Sequence, residues 1–285
     1  MEDTLQLVTD IFESVFVPIL IVELIWLGWA RRLGWSRIKE MLANGVTFAL
    51  FVVAAVIGAV VWFPIFTAVE GLVPWSIPTT WWSAVLAIVL ADLVYYVEHR
   101  FEHEHRLPWD LYHSVHHSSE AYDQTTGLRL GIFDALLTVG FSLPLVILGF
   151  SPTLVFLSIG IVIAYQGWIH TELVGRMPRW FEAVFNTPSH HRAHHGNDRP
   201  YLDVNYGGIL IIWDRLFGTF QREIERPTYG LTTQIESSNP IDIQFSQIRL
   251  LLRDLRADRS WRTRLARLWN RPGWSPTKQP ATPVG

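Results

Sequence analysis

The chain has no cysteine among its 285 residues, so disulfides and thiolate metal sites are both excluded. Charge is also scarce, at 17% of residues, while nearly half of the residues are apolar. The opening segment "MEDTLQLVTD" is acidic and lacks the basic region and small-residue cleavage site of a secretory signal, so the apolar run after it is expected to remain as an anchor. No phosphate-binding glycine loop, acyl-transfer triad or nucleic-acid signature is present, and Gly207 with Gly208 reads as a turn. No repeat of fixed period occurs, although the short pattern H-x-x-H-H appears twice.

What the chain does have is long apolar runs, at about 11–29, 46–66, 82–97, 131–149 and 152–169, each near the ~20 residues of a spanning helix. They predict an all-α, multi-pass membrane bundle with about four to five transmembrane helices. Between the first two runs stand Arg31, Arg32, Arg37 and Lys39, whereas "TAVEGLVPWSIPTT" after the second carries no basic residue. The positive-inside rule puts the first loop in the cytoplasm, so the third run travels inward and "EHRFEHEHR" (98–106) emerges on the cytoplasmic side. The fourth and fifth runs, separated by "FSP" with Pro152 suited to a first helical turn, form a hairpin that returns His170 to the same side. Eleven of the 23 Lys and Arg lie between 222 and 285, also cytoplasmic on this reading.

Nine of the eleven histidines fall into four groups on that face: His99 with His103; His113 with His116 and His117; His170; and His191 with His194 and His195. Helix positions i, i+3 and i+4 share one face, so each H-x-x-H-H triplet is expected to aim three imidazoles at one point. The adjacent His190 leaves open which of the two rings begins the third box. Imidazole binds Fe, Zn, Cu and Ni, and nine rings exceed the four to six ligands of one ion, so two metals are expected. Iron can do redox work and zinc cannot. Such a site beside a membrane suits O2 activation against an unactivated C–H bond of a long apolar substrate entering from the bilayer.

At these residues the sequence resembles the fatty acid hydroxylase superfamily, the membrane di-iron family also called sterol desaturase-like. The first box appears as Asp92, Tyr96, His99, Arg100 and His103, the second as "HSVHHSSE", and the third as "HRAHH" followed by "NYGGILIIWDRLFGTF". "WIHTEL", "NTPSHHRAHHG", "YGLT" and "RPGWSP" are similar to the alkylglycerol monooxygenase branch and its bacterial relatives. The resemblance implies two irons held by His99, His103, His113, His116, His117, His170, His191, His194 and His195. It implies use of O2 and an external electron donor, a reductant or electron-transfer protein, to hydroxylate or desaturate a fatty acyl or ether lipid. That branch uses a reduced pterin, but no pterin site is recognisable here. The bacterial likeness points to a bacterial inner membrane rather than the endoplasmic reticulum. Two alternatives stay open: a carotenoid or sterol substrate for the same chemistry, or zinc in a non-redox membrane hydrolase.

Asp92, Tyr96, His99 and His103 share one helix face, and an acid at that depth is costly unless it orients a ligand ring or pairs helices. Glu104 follows the second histidine directly, as in alkylglycerol monooxygenase-like sequences, and is the expected supporting acid. Glu98 and Glu102 lie beside the ligand face, either bonded to the rings or solvated. His105 falls on the opposite side and is expected to be a bystander. Glu23, within the first run, reads as a packing or interface residue. Asp203, Asn205, Tyr206 and Asp214 either brace the third box or form ordinary turns. Phe245, Ile248, Leu252, Leu255, Trp261, Leu265 and Leu268 recur at helical spacing, interleaved with Arg249, Arg253, Arg256, Arg259, Arg262 and Arg264, which fits an anionic membrane surface or a solvated helix. The division expected is an anchor and loop (1–45), a catalytic domain (46–221), and a basic amphipathic segment (222–285) ending in a Pro-rich, poorly ordered tail.

Overall fold

A computed structural model describes residues 2–276, with side chains described for residue 14 and from Phe16 onward; the tail beyond 276 lies outside the described residues. Among the described residues there is no strand, only two isolated antiparallel bridges, Phe185 with Leu210 and Gly196 with Tyr229. Three long helices come first: α1 (Glu2–Trp29), α2 (Trp35–Glu70) and α3 (Trp81–Glu104). They are followed by α4 (Pro152–Gln166), α5 (Pro188–His194), α6 (Pro240–Ala257) and α7 (Trp261–Trp269).

Among the described residues two helices, α2 and α3, are long and apolar enough to cross a membrane. At 1.5 Å per residue their 36 and 24 residues extend about 54 and 36 Å, against a hydrocarbon core of about 30 Å. On α2, Val53, Val56 and Val60 are 61–70% exposed, an apolar surface that lipid would cover. Of the other three apolar runs, the first lies within the 28-residue α1, while the last two form the shorter helical stretches Asp134–Ile147 and Pro152–Gln166. The stretch Asp134–Ile147 is itself interrupted by a 3-10 turn at Thr138–Ser142. The Trp62 indole N–H donates to the Leu136 carbonyl at 2.7 Å, and Pro144 has no N–H to continue the ladder, so a regular helix cannot run through.

Pro152 takes the first turn of α4, with the Ser151 hydroxyl accepting from the Leu154 N–H at 3.4 Å. Thr80 and Ser83 form a reciprocal cap on α3. α3 packs along α4 through Ala87 and Ala91, whose small side chains join Phe66 of α2 and Val155 and Val162 of α4 in one apolar core. At Gly58 a Cβ would stand 2.4 Å from the Ala135 carbonyl oxygen, so only glycine lets α2 approach that segment.

The connection expected over residues 30–45 is shorter than predicted. α2 starts at Trp35, so the expected boundary at 45–46 falls inside one unbroken helix. The added helical turns carry a polar stripe, Arg37, Glu40, Asn44 and Thr47, at helical spacing. It binds the 122–129 loop: Arg37 donates to Asp123 (2.9 Å), Asn44 to Thr125 (3.0 Å), and Arg129 donates back to Glu40 (3.1 Å). α6 packs Ile243 against Ala43 and Val115, tying the C-terminal segment to both α2 and the second histidine box.

Candidate metal centre

The nine histidines are all buried and converge, but not in the triplets that spacing suggested. One group holds His99, His103, His113, His117 and His194; the other holds His116, His170, His191 and His195. Within each group the ligand nitrogens lie within 4.8 Å of one another. Each H-x-x-H-H box is thus divided. The pairs at i and i+4 (His99/His103, His113/His117, His191/His195) stay together, while His116 crosses to the second group and His194 to the first. Neighbouring residues on a helix diverge by about 100°, so the rings of an adjacent H-H pair cannot share one focus. His117 and His195 stack across the two groups, with ring centroids 4.4 Å apart.

The hydrogen bonds fix which nitrogen faces inward. The Nδ1–H groups of His99, His116, His170 and His194 donate to the carbonyls of Tyr206 (2.9 Å), Arg129 (3.1 Å), Gln166 (3.0 Å) and Val204 (2.8 Å). That of His113 donates to the Glu102 carboxylate at 2.7 Å. In the neutral rings the Nε2 lone pairs therefore point inward, yet His99 and His113 Nε2 are 3.1 Å apart and His116 and His170 Nε2 are 3.2 Å apart. Facing lone pairs at that distance repel unless a cation lies between them. Two imidazoles each bound to one ion at about 2.1 Å and at right angles would be about 3.0 Å apart, so the residues fit a metal in each group. Burial pushes the His113 and His170 imidazoles down to about 4 and that of His194 to about 3, and it lowers His116, His117, His191 and His195 as well. The rings are therefore neutral ligands at pH 7.

Local structure explains the aim. His113 ends a π-turn, Trp109–His113, an extra residue per turn that brings its ring to Glu102. After the third box, Asp203 and Asn205 adopt left-handed backbone (φ 59° and 58°) on either side of Val204. This collar directs the Val204 carbonyl to His194 and the Tyr206 carbonyl to His99, and it sets Asp203 3.5 Å from His103. Asp214 accepts from the Tyr206 and Gly207 N–H groups, both at 2.8 Å, and Asn205 donates to the His190 carbonyl at 3.0 Å. All four residues expected after the third box therefore take part in the brace.

Asp92 touches no histidine. It accepts from the Ile209 and Leu210 N–H groups and the Trp213 indole, so it holds the far end of the collar and reaches His99 only through Tyr206. A Cβ on Gly208 would meet Asp92 Oδ1 and Val162 Cγ1, both at 2.8 Å, so this turn needs glycine to seat against α3 and α4. Tyr96 is buried, with its hydroxyl 3.0 Å from Thr219, and stacks on Phe217. Glu104 pairs with Arg100 and Arg271, both at 3.1 Å, and faces away from the rings. The glutamate that contacts a ring is Glu102, grouped with Glu98 and Asp134. His105 packs against Phe101 and Trp269 outside both groups. His190 is also outside them, packed on Phe220 beside a cavity of about 350 Å³ lined by Arg179, Arg215 and Arg222.

Two contacts went unseen in the sequence. Buried Glu23 of α1 accepts from the Gln124 N–H and the Thr171 hydroxyl, pinning the segments on either side of the four-histidine group. Arg192, between the histidines of the third box, points the other way, with a bidentate pair to Glu223 (2.7 and 2.8 Å) and bonds to the Thr171 and Val174 carbonyls.

The sequence profile of the fatty acid hydroxylase family matches residues 84–219, a span that contains all nine converging histidines. Residues 84–219 belong to that family. The alkylglycerol monooxygenase of Homo sapiens is 38% identical over 205 residues, covering 72% of this chain and 45% of the relative. That of Xenopus tropicalis is 33% identical over 286 residues, 97% of this chain and 60% of the relative. An ornithine lipid hydroxylase of Rhizobium tropici is 36% identical over 148 residues, 50% of this chain and 44% of the relative. The chain thus spans less than two thirds of the curated relatives that its fatty acid hydroxylase domain resembles. No solved structure matches.

Proposed function

We propose that the chain is an O2-dependent membrane oxidoreductase that inserts oxygen into a C–H bond of a lipid, using one iron in each histidine group. The observation that carries this reading is the pair of inward-facing lone-pair clusters. Two clusters built of neutral imidazoles suit two redox metals, and the relatives named for alkylglycerol and ornithine lipid point to an ether or acyl lipid. Bound there, iron would supply the activation of O2 that an unactivated C–H bond requires.

The chain's own residues supply the rest. His99, His103, His113, His117 and His194 hold one ion, and His116, His170, His191 and His195 the other. The Glu102 carboxylate keeps the proton of His113 on Nδ1 and raises the basicity of its Nε2. The cluster sits at the polar end of α3, on the side that the charge pattern assigns to the cytoplasm. α4, about 22 Å long, is too short to cross alone; with the stretch Asp134–Ile147 it forms a hairpin entering partway and lining an apolar approach for substrate. The net change is one lipid C–H, O2, two electrons and two protons becoming C–OH and water, with the electrons from an external reductant.

Whole-cell lipids compared with and without the gene, grown under heavy O2, test the reading. One labelled oxygen per product lipid is the expected result. Loss of two hydrogens without label would reassign the reaction to desaturation, and zinc in place of iron with unchanged lipids would overturn it.

A further inference from the structure

Helix α7 is inside out for a helix in water. It buries Arg267, whose guanidinium makes a bidentate pair with Asp258 (2.6 and 2.9 Å) and lies 3.6 Å from Asp254. It exposes Trp261 (65%), Leu265 (55%) and Trp269 (67%), which at i, i+4 and i+8 form one apolar stripe. The neighbouring α6 has the usual arrangement, with Ile243 and Leu251 buried and Arg249, Arg253 and Arg256 outside. The two helices read alike in sequence, yet they present opposite faces.

The position of the stripe is set by its contacts. The Trp269 ring lies 6.0 Å from Phe101 and 4.6 Å from His105, and the Arg106 N–H donates to the Asn270 carbonyl at 2.9 Å. These residues form the last turn of α3 and the chain just beyond it, where a spanning helix leaves the hydrocarbon. Charge selects the partner: α7 contains Arg262, Arg264 and Arg267 and no acid, and the Arg262 guanidinium lies 5.6 Å from the Trp261 ring. Tryptophan and leucine flanked by arginine is the composition of a helix lying in an anionic membrane interface.

We propose that α7 docks flat on the anionic lipid surface beside α3, with Trp261, Leu265 and Trp269 inserted among the headgroups and Arg262 and Arg264 on lipid phosphates. The inference rests on the membrane setting and on neither the metals nor the reaction. Docking bears on the metal centre through one ionic chain. Asp254, near Arg267, accepts from Arg106 at 2.8 Å, and Arg106 also donates at 2.8 Å to Asp110 in the π-turn that carries His113.

The absence of cysteine allows a direct test in the full chain. Leu265→Cys, labelled with an environment-sensitive fluorophore, is reconstituted in nanodiscs of phosphatidylcholine with or without phosphatidylglycerol. Trp261→Cys serves as a second probe of the same face and Arg256→Cys as a probe of the polar face of α6. With phosphatidylglycerol, labels at 261 and 265 should be quenched by brominated lipid and quenched by aqueous iodide about threefold less than the label at 256. Arg262→Gln with Arg264→Gln should remove the dependence on phosphatidylglycerol while leaving bound metal unchanged. Equal iodide access at 265 and 256 in these discs would overturn the proposal. So would shielding in lipid-free detergent that grows with protein concentration, which would mark a second copy as the occupant.

Discussion

The two histidine groups look equivalent in sequence but are built differently. The five-histidine group grows from α3, a long helix that also carries Glu102, so one of its rings rests on a carboxylate and two others on the 203–206 collar. The four-histidine group has no ligand on a long helix. His170 lies just past α4, its other rings come from short segments, and its resolved braces are the neutral carbonyls of Arg129 and Gln166. Its geometry depends on residues that tie those segments together, Glu23 and Arg192 above all. A rigid scaffold with a charged support thus faces an assembled site with neutral support.

The sharpest test of this contrast is removal of one ring from each side. His113→Ala, His194→Ala and His116→Ala should each abolish lipid oxidation, and metal analysis should show that the first two empty the five-histidine group while the third empties the other. If all three variants lost the same ion, the division of the boxes would be wrong. Next in size, Glu102→Gln should lower metal affinity or turnover about 10- to 100-fold, with the loss confined to the five-histidine group. Equal loss from both groups would erase the distinction between charged and neutral support.

Acid should act on both groups. The His113 and His170 imidazoles are held near 4, below the ordinary value of about 6.5, so the stability they contribute is complete above 6.5 and is lost as pH falls through 4. The thermal midpoint of the metal-free protein should therefore drop as pH is lowered from 7 toward 4. Arg192→Lys keeps the charge but loses the forked pair to Glu223, and should lower the midpoint by about 2–4 °C per kcal/mol lost, with the four-histidine group the first to release metal on warming. Smallest of all, His105→Ala and His190→Ala should leave metal content unchanged; loss of iron from either would mean that the ring assignments are misplaced.

The identity of the converging rings was legible because histidine is rare and the membrane runs put the boxes on one face independently. Their partition was not, since spacing along a helix fixes direction but not which of two foci a ring meets. Pro152 at the start of α4 followed from local chemistry alone. The interruption of 131–149 did not, because it depends on the Trp62 indole, 74 residues from the carbonyl it takes. Glu104 stood out by its place after His103, yet Glu102, two residues earlier on that helix, is the acid whose side chain faces the rings. Glu23 and Arg192 were unreadable for a related reason: each bonds to backbone far away in sequence, Glu23 to the Gln124 N–H and Arg192 to the Thr171 and Val174 carbonyls, and a backbone amide or carbonyl leaves no trace in residue identity.

The exchange of His116 and His194 between the groups has a thermodynamic consequence. An ion entering either focus immobilises parts of both boxes, and so fixes backbone that aims rings at the other focus. The entropy of ordering that backbone is then lost once rather than twice, and the second ion binds to a chain already arranged for it. In a titration of the metal-free protein, the singly loaded species should stay scarce at every ratio, with empty and doubly loaded chains sharing nearly the whole population.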